Sequence, residues 1–237
     1  MKMTSQIDSR LETHAGVAIS PFSGVCRFSG PETPVIPVSK LIFDKMFAAT
    51  ALVLISPVLL LLSLALLLEG GGPVIFRHTR IGRGGLPFSC LKFRTMQHDS
   101  QQRLDQVLAI DPIAREEWAE SRKLFRDPRV SRLGNFLRKS SLDELPQFWN
   151  ILVGDMSVVG PRPITREEAH YYADDISVYA SVRPGLTGAW QIGGRSETSY
   201  QERVDLDVHY VKNWSLLEDI RIVFKTVDAV ILGRGAC

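Results

Sequence analysis

The sequence predicts an α+β chain that is mainly α, and three observations carry that prediction. From Met46 to Leu68 run 23 residues without a charge, long enough for a membrane helix. Only two short stretches, Val74-Ile75-Phe76 and Phe88-Ser89-Cys90-Leu91-Lys92-Phe93, read as strands. The chain then closes on apolar residues at helical spacing. Its 237 residues suffice for one domain with a sizeable core, and for a second only if small. A net charge of +2 argues against a nucleic-acid binder, whose affinity rests on neutralising phosphates. Cys26, Cys90 and Cys237 are odd in number and far apart, so neither a disulfide framework nor a zinc site is implied, and a reducing compartment is expected.

Residues 1–38 mix Ser, Thr, Gly and Pro with isolated apolar residues and read as a mobile arm. No apolar core follows Lys2, so this is no secretory signal. The membrane segment, assigned to 39–72, would be about 34 Å long over its 23 uncharged residues, against a hydrocarbon core of about 30 Å. Ser56-Pro57 stands at its midpoint, where proline removes a backbone donor and clashes with the Val53 carbonyl. A break there leaves two halves of about 16 Å. Basic residues flank both ends: Arg27, Lys40 and Lys45 before, Arg77, Arg80 and Arg83 after. Both ends therefore favour the cytoplasm. A re-entrant helix–break–helix and a kinked spanning helix both remain open on these grounds.

Glu69-Gly70-Gly71-Gly72-Pro73 stops the segment and opens the remaining domain, 73–237. The two strands then fold as a β-hairpin about Gly82–Pro87. No helix start follows Gly82, Gly84 and Gly85, so they serve a turn and not a phosphate loop. Residues 97–125 read as two helices parted at Asp111-Pro112 and packed on the stretch that follows, with Glu116-Glu117 on a solvated face. His98, Asp99 and His170 read as surface residues.

The stretch Ser140–Pro163, SSLDELPQFWNILVGDMSVVGPRP, is the one with chemistry in it. Ser141 and Glu144 have capping-box spacing, which would put Asp143 and Glu144 in a first helical turn beside free N–H groups. A phosphate can be held there only if cations offset the carboxylates, and Mg²⁺ with Arg138, Lys139 or Arg162 would do so. On spacing alone, a plain cap accounts for the two acids equally well. Ile164–Tyr179 reads as helix with Tyr171, Tyr172 and Ile176 as packing positions. Arg183–Arg195 is rich in Gly and suits a ligand-approaching loop. In the closing helix Leu216, Leu217, Ile220, Val223, Phe224, Val227, Val230 and Ile231 form an apolar stripe read as core packing, with an interfacial position as the second reading.

The run SLDELPQFWNILVGDMSVVGPRP closely resembles the signature of the bacterial sugar transferases, the monotopic phosphoglycosyl transferases that move a hexose-1-phosphate from a nucleotide sugar to a polyprenyl phosphate. Lys92-Phe93-Arg94-Thr95-Met96, Asp127-Pro128-Arg129-Val130 and Arg183-Pro184-Gly185-Leu186-Thr187-Gly188 with Trp190-Gln191 resemble further pieces of that family in the same order, over about residues 40 to 237. The resemblance implies a Ser-Pro break, Ser56-Pro57, in a re-entrant membrane helix, followed by a cytosolic catalytic domain. It implies Asp143 as the nucleophile of a covalent phosphosugar intermediate, Glu144 as its partner in metal binding or proton handling, and Mg²⁺ on the pair. Lys92, Arg94, Arg138, Arg162, Arg183 and Arg195 are then the substrate-binding candidates. The implied substrates are a UDP-sugar, galactose or glucose favoured, and undecaprenyl phosphate, with UMP released as the first step of exopolysaccharide repeat-unit assembly. The implied location is the cytoplasmic face of the bacterial inner membrane, and a homodimer suits so small a membrane footprint. The rival expectation is a membrane-anchored scaffold or binding protein without catalysis.

Overall fold

The computed structural model describes residues 37–70, 72–121, 124–125, 127–193 and 199–231. The arm expected over 1–38 therefore lies outside the described residues as far as residue 36, and Val38 already opens the first helix. That helix, α1 (Val38–Glu69), is 32 residues long with Pro57 inside it. The expected break into two halves is replaced by one continuous helix. Pro57 has no N–H for the Val53 carbonyl, and the Ser56 hydroxyl donates to that carbonyl instead, at 2.8 Å. Val53, Leu54, Leu60 and Leu61 are largely exposed, while Ala48, Leu62 and Leu66 are buried. By length and composition α1 is the one helix among the described residues able to cross a membrane.

Strands β1 (Ile75–Ile81) and β2 (Pro87–Phe93) pair antiparallel, Ile75 opposite Phe93 and Ile81 opposite Pro87, as the turn residues between them predict. Arg94 ends the hairpin by anchoring it to α1. Its guanidinium donates to the carbonyls of Leu66, Gly70, Gly72 and Pro73, which closes the C-terminal end of the helix. Helices α2 (Ser100–Ile110) and α3 (Pro112–Ser121) part at Asp111, whose carboxylate accepts the amides of Ile113 and Ala114. They pack chiefly on each other and leave Ile110 and Ile113 exposed, which corrects the expected packing on the catalytic stretch.

The next residues build the centre of the domain: α4 (Arg132–Lys139), a 3₁₀ turn Leu142–Glu144, α5 (Gln147–Val153) and β3 (Ser157–Val159). Strand β3 pairs in parallel with β4 (Gly185–Thr187), where a Cβ on Gly185 would lie 2.1 Å from the Gly160 nitrogen. Between these strands, a 3₁₀ segment Glu168–Asp175 and α6 (Ile176–Ser181) replace the single helix expected over 164–179, because Ala173 turns to φ 42°. Tyr172 and Ile176 enter the core as expected, whereas Tyr171 stays half exposed and stacks on Tyr200.

Helices α7 (Ala189–Gly193), α8 (Tyr200–Lys212) and α9 (Leu216–Ile231) finish the fold. The α9 stripe meets the core-packing expectation only in part, with Val223 packed against the core and Leu216 half-buried. Leu217, Ile220, Phe224 and Val227 face outward, while Ile222 and the acidic Asp219 are fully buried. Asp219 goes inside because Lys40 of α1 meets it there at 2.7 Å, and the Tyr210 hydroxyl and Trp214 indole also donate to it.

Candidate active site

Asp143 and Glu144 sit on the 3₁₀ turn, and the turn is held by its apolar neighbours. Leu142 and Leu145 pack into a cluster with Leu62 and Leu66 of α1, Phe93 of β2 and Leu137 of α4. The two acids are thus fixed against α1 from both sides. The expected capping box does not form: Ser141 adopts a left-handed conformation at φ 57° and caps nothing. Glu144 turns instead to Lys92, whose Nζ lies 2.7 Å from its Oε1 and 3.8 Å from Asp143 Oδ2. The strand supplied a stronger partner than the local hydroxyl, a charged donor 52 residues away.

Asp143 is 8 % exposed, and among the described residues no hydrogen-bond donor is bound to its carboxylate besides this Lys92 contact. Burial pushes its carboxyl above the ordinary value; Lys92 opposes the rise, Glu144 adds to it and Arg138 opposes it. Arg138 is held at the right place by Thr95, whose hydroxyl accepts its Nε at 2.9 Å. Gly134 makes that contact possible, since a Cβ there would meet the Thr95 carbonyl oxygen at 2.0 Å. The two motifs around this point also join: Met96 pairs with Val130, and Ser131 N–H donates to Thr95. Within the second motif Asp127 forms a bidentate pair with Arg129. Burial works to raise the Asp127 carboxyl, but the Arg129 bonds win and hold it below its ordinary value.

Lys92, Cys90, His78, Arg80 and Phe76 alternate onto one face of the hairpin. The Cys90 thiol, pushed up to about 11 by burial, also feels the charges of Lys92, Glu144, Arg80 and Arg162. Arg162 belongs to the Gly160–Pro163 turn, and Arg80 ties the hairpin to it by donating to the Pro163 carbonyl at 3.2 Å and to Glu168 at 3.0 Å. Asn150 of α5 fixes the other edge of β2: its amide donates to Ser89 and accepts from Leu91.

The expected site residues thus divide. Asp143, Glu144, Lys92 and Arg138 are gathered at the hairpin base, while Arg162 lies over Trp190 and reaches the same face of the hairpin as a charge felt at Cys90. Arg94 is committed to the α1 carbonyls. Arg183 lies at the far end of α5, beside Gly154 and within reach of Arg83, Asp44 and Asp155. Arg195 lies outside the described residues. Thr95, Gly134 and Asn150 were missed as site-building residues; Thr95 already stood inside the Lys92–Met96 motif, and Gly134 sat unprompted in a helical stretch.

A family model described as bacterial sugar transferase matches residues 36–233. The chain belongs to that family. Among relatives of this chain, the exopolysaccharide production protein ExoY of Rhizobium meliloti is 48% identical over 219 residues, which cover 92% of this chain and 96% of ExoY. The UDP-galactose-lipid carrier transferase of Erwinia amylovora is 49% identical over 82% of this chain and 40% of its own length. The UDP-glucose:undecaprenyl-phosphate glucose-1-phosphate transferase of Escherichia coli is 40% identical over 97% of this chain and 47% of its own. The chain therefore spans nearly all of ExoY and less than half of the other two.

Proposed function

We propose that this protein transfers a hexose-1-phosphate from a UDP-sugar to undecaprenyl phosphate at the cytoplasmic face of the bacterial inner membrane, through a covalent phosphosugar ester on Asp143. The observation that carries the reading is the position of Asp143: an underbonded carboxylate, flanked by Lys92 and Arg138 and seated through Leu142 and Leu145 on the membrane helix. The names of relatives supply the substrate class, with galactose in one and glucose in another.

In the first step an Asp143 oxygen attacks the phosphorus that bears the sugar. The bond from that phosphorus to the UMP oxygen breaks, and UMP leaves. In the second step an oxygen of undecaprenyl phosphate attacks the same phosphorus, which returns the Asp143 carboxylate and yields the lipid diphosphosugar. Lys92 and Arg138 offset the charge that gathers on the phosphoryl oxygens, and Arg162 binds the donor diphosphate from the opposite turn. The residues present fit Mg²⁺: two hard carboxylate ligands stand side by side, and the Lys92 ammonium already bridges them as a cation. Glu144 and Asp143 would hold the ion, which supplies neutralisation of the diphosphate when bound.

A re-entrant course requires α1 to bend at Pro57 while staying helical, and it is supported by where the two ends of the helix pack. Lys40 bonds Val159 and Asp219, and Leu66 packs on Phe93 and Leu137, so both ends lie on one folded body. About 39 Å of straight helix separates those residues, and a spanning course would put the bilayer between them. Thiol labelling at Cys26 and Cys237 tests this course: both should react from one side of sealed vesicles, and reaction from opposite sides contradicts it. The function is tested by the nucleotide released from UDP-galactose and UDP-glucose with undecaprenyl phosphate. UMP is expected; UDP, or no consumption of either donor, overturns the reading.

A further inference from the structure

The Gly160–Pro163 turn is gripped from a helix that takes no part in the chemistry described so far. Asp207 of α8 is 2 % exposed. The Tyr172 hydroxyl donates to its Oδ2 at 2.8 Å, and the backbone N–H and the guanidinium charge of Arg162 both act on the same carboxylate. Within Pro161-Arg162-Pro163 that N–H is the one amide donor available, since neither proline has one. The Arg162 guanidinium lies over the Trp190 ring at 5.6 Å, and Arg203, one turn before Asp207 on α8, lies over that ring at 4.9 Å. No Lys or Arg among the described residues forms an ion pair with Asp207. A buried carboxylate left without a full ion pair is costly, and folds retain one where it fixes something. Here the thing fixed is the backbone of one arginine, between two residues that already lock the chain.

We propose that Asp207 is a positioning residue for donor binding: through the Arg162 amide it sets the turn so that the guanidinium, propped on Trp190, is presented to the diphosphate of the nucleotide sugar. This rests on the reading that Arg162 binds that diphosphate. Asp207→Asn keeps the shape but leaves one acceptor oxygen where the carboxyl group has two, so it cannot face both Tyr172 and the Arg162 amide. In the full-length enzyme in detergent or nanodiscs, its KM for the UDP-sugar rises about tenfold, the loss of one charge-assisted bond, while kcat and the KM for undecaprenyl phosphate stay within about twofold. Arg162→Gln raises the same KM at least as much, and the double variant is no worse than Arg162→Gln alone, because the two act through one group. Should Asp207→Asn fail to fold, Tyr172→Phe carries the test, with an expected rise of about threefold in the donor KM at constant kcat.

The outcomes separate. If Arg162→Gln raises the donor KM and neither Asp207→Asn nor Tyr172→Phe does, the positioning role is overturned and the reading of Arg162 stands. If the two effects multiply, or if Asp207→Asn lowers kcat with both KM values unchanged, Asp207 acts independently of Arg162 and the proposal fails. If Arg162→Gln leaves the donor KM unchanged, the reading of Arg162 falls and the proposal with it.

Discussion

Two lysine–carboxylate pairs stand at the two ends of α1, with the same 2.7 Å separation and opposite surroundings. At the N-terminal end Lys40 meets Asp219, which is fully buried and also accepts Tyr210 and Trp214, so its oxygens are satisfied. At the C-terminal end Lys92 meets Glu144 and, more loosely, Asp143; the Glu144 side chain is 36% exposed, and Asp143 has no hydrogen-bond donor bound among the described residues. The difference separates structure from chemistry. A saturated carboxylate holds α9 on α1, and an unsaturated one is left free to react.

The comparison is broken most strongly at the unsaturated end. Asp143→Asn should cut transfer by about 10³-fold or more, with a melting temperature close to that of the parent, because no donor network is lost. Activity near the parent rate would remove Asp143 from the mechanism. At the saturated end the effect reverses in kind. Asp219→Asn leaves buried Lys40 with Asp44 alone as an acidic neighbour and should destabilise the fold by about 3 kcal/mol in denaturant titration, whereas Lys40→Met with Asp219→Leu should recover most of that loss.

A smaller effect sharpens the picture between the two ends. Gly134→Ala pushes a methyl into the Thr95 carbonyl and should cost about 1–3 kcal/mol, with a further fall in activity as Arg138 leaves Thr95. A stable, fully active variant would show that this contact has no bearing on the site.

The smallest effect is one of pH. Burial raises the Asp207 carboxyl to about 7 from the ordinary 3.8, so between those values the folded state binds more protons than the unfolded. Stability from this group is full below pH 4 and declines as pH rises to about 7. Asp207→Asn should flatten that part of the melting profile, and an unchanged profile would show that Asp207 does not titrate there.

What could be read from the sequence was what neighbouring residues decide among themselves. The apolar run of α1, the hairpin about Gly82–Pro87 and the helix break at Asp111-Pro112 all follow from local spacing and turn chemistry, and each is present. The Asp143-Glu144 pair was legible as chemistry, but its setting was not. Ser141 and Glu144 have the right spacing for a cap, and Lys92 won Glu144 from across the fold. Likewise Asp219 belongs by pattern to the polar face of α9, yet a partner 179 residues earlier pulls it inside, and Leu217, Ile220, Phe224 and Val227 turn outward. Long-range charge pairing overrides helical periodicity, and spacing carries no trace of it.

The central claim is the transient bond between Asp143 and phosphorus, and intact-protein mass measurement tests it most directly. The enzyme is mixed with Mg²⁺ and UDP-galactose or UDP-glucose without lipid acceptor, then quenched. The account predicts a mass gain of one hexose phosphate, mapped to the peptide bearing Asp143, absent from Asp143→Asn and discharged by undecaprenyl phosphate. An unmodified protein under conditions of full turnover, with rates that require both substrates bound together, would contradict it.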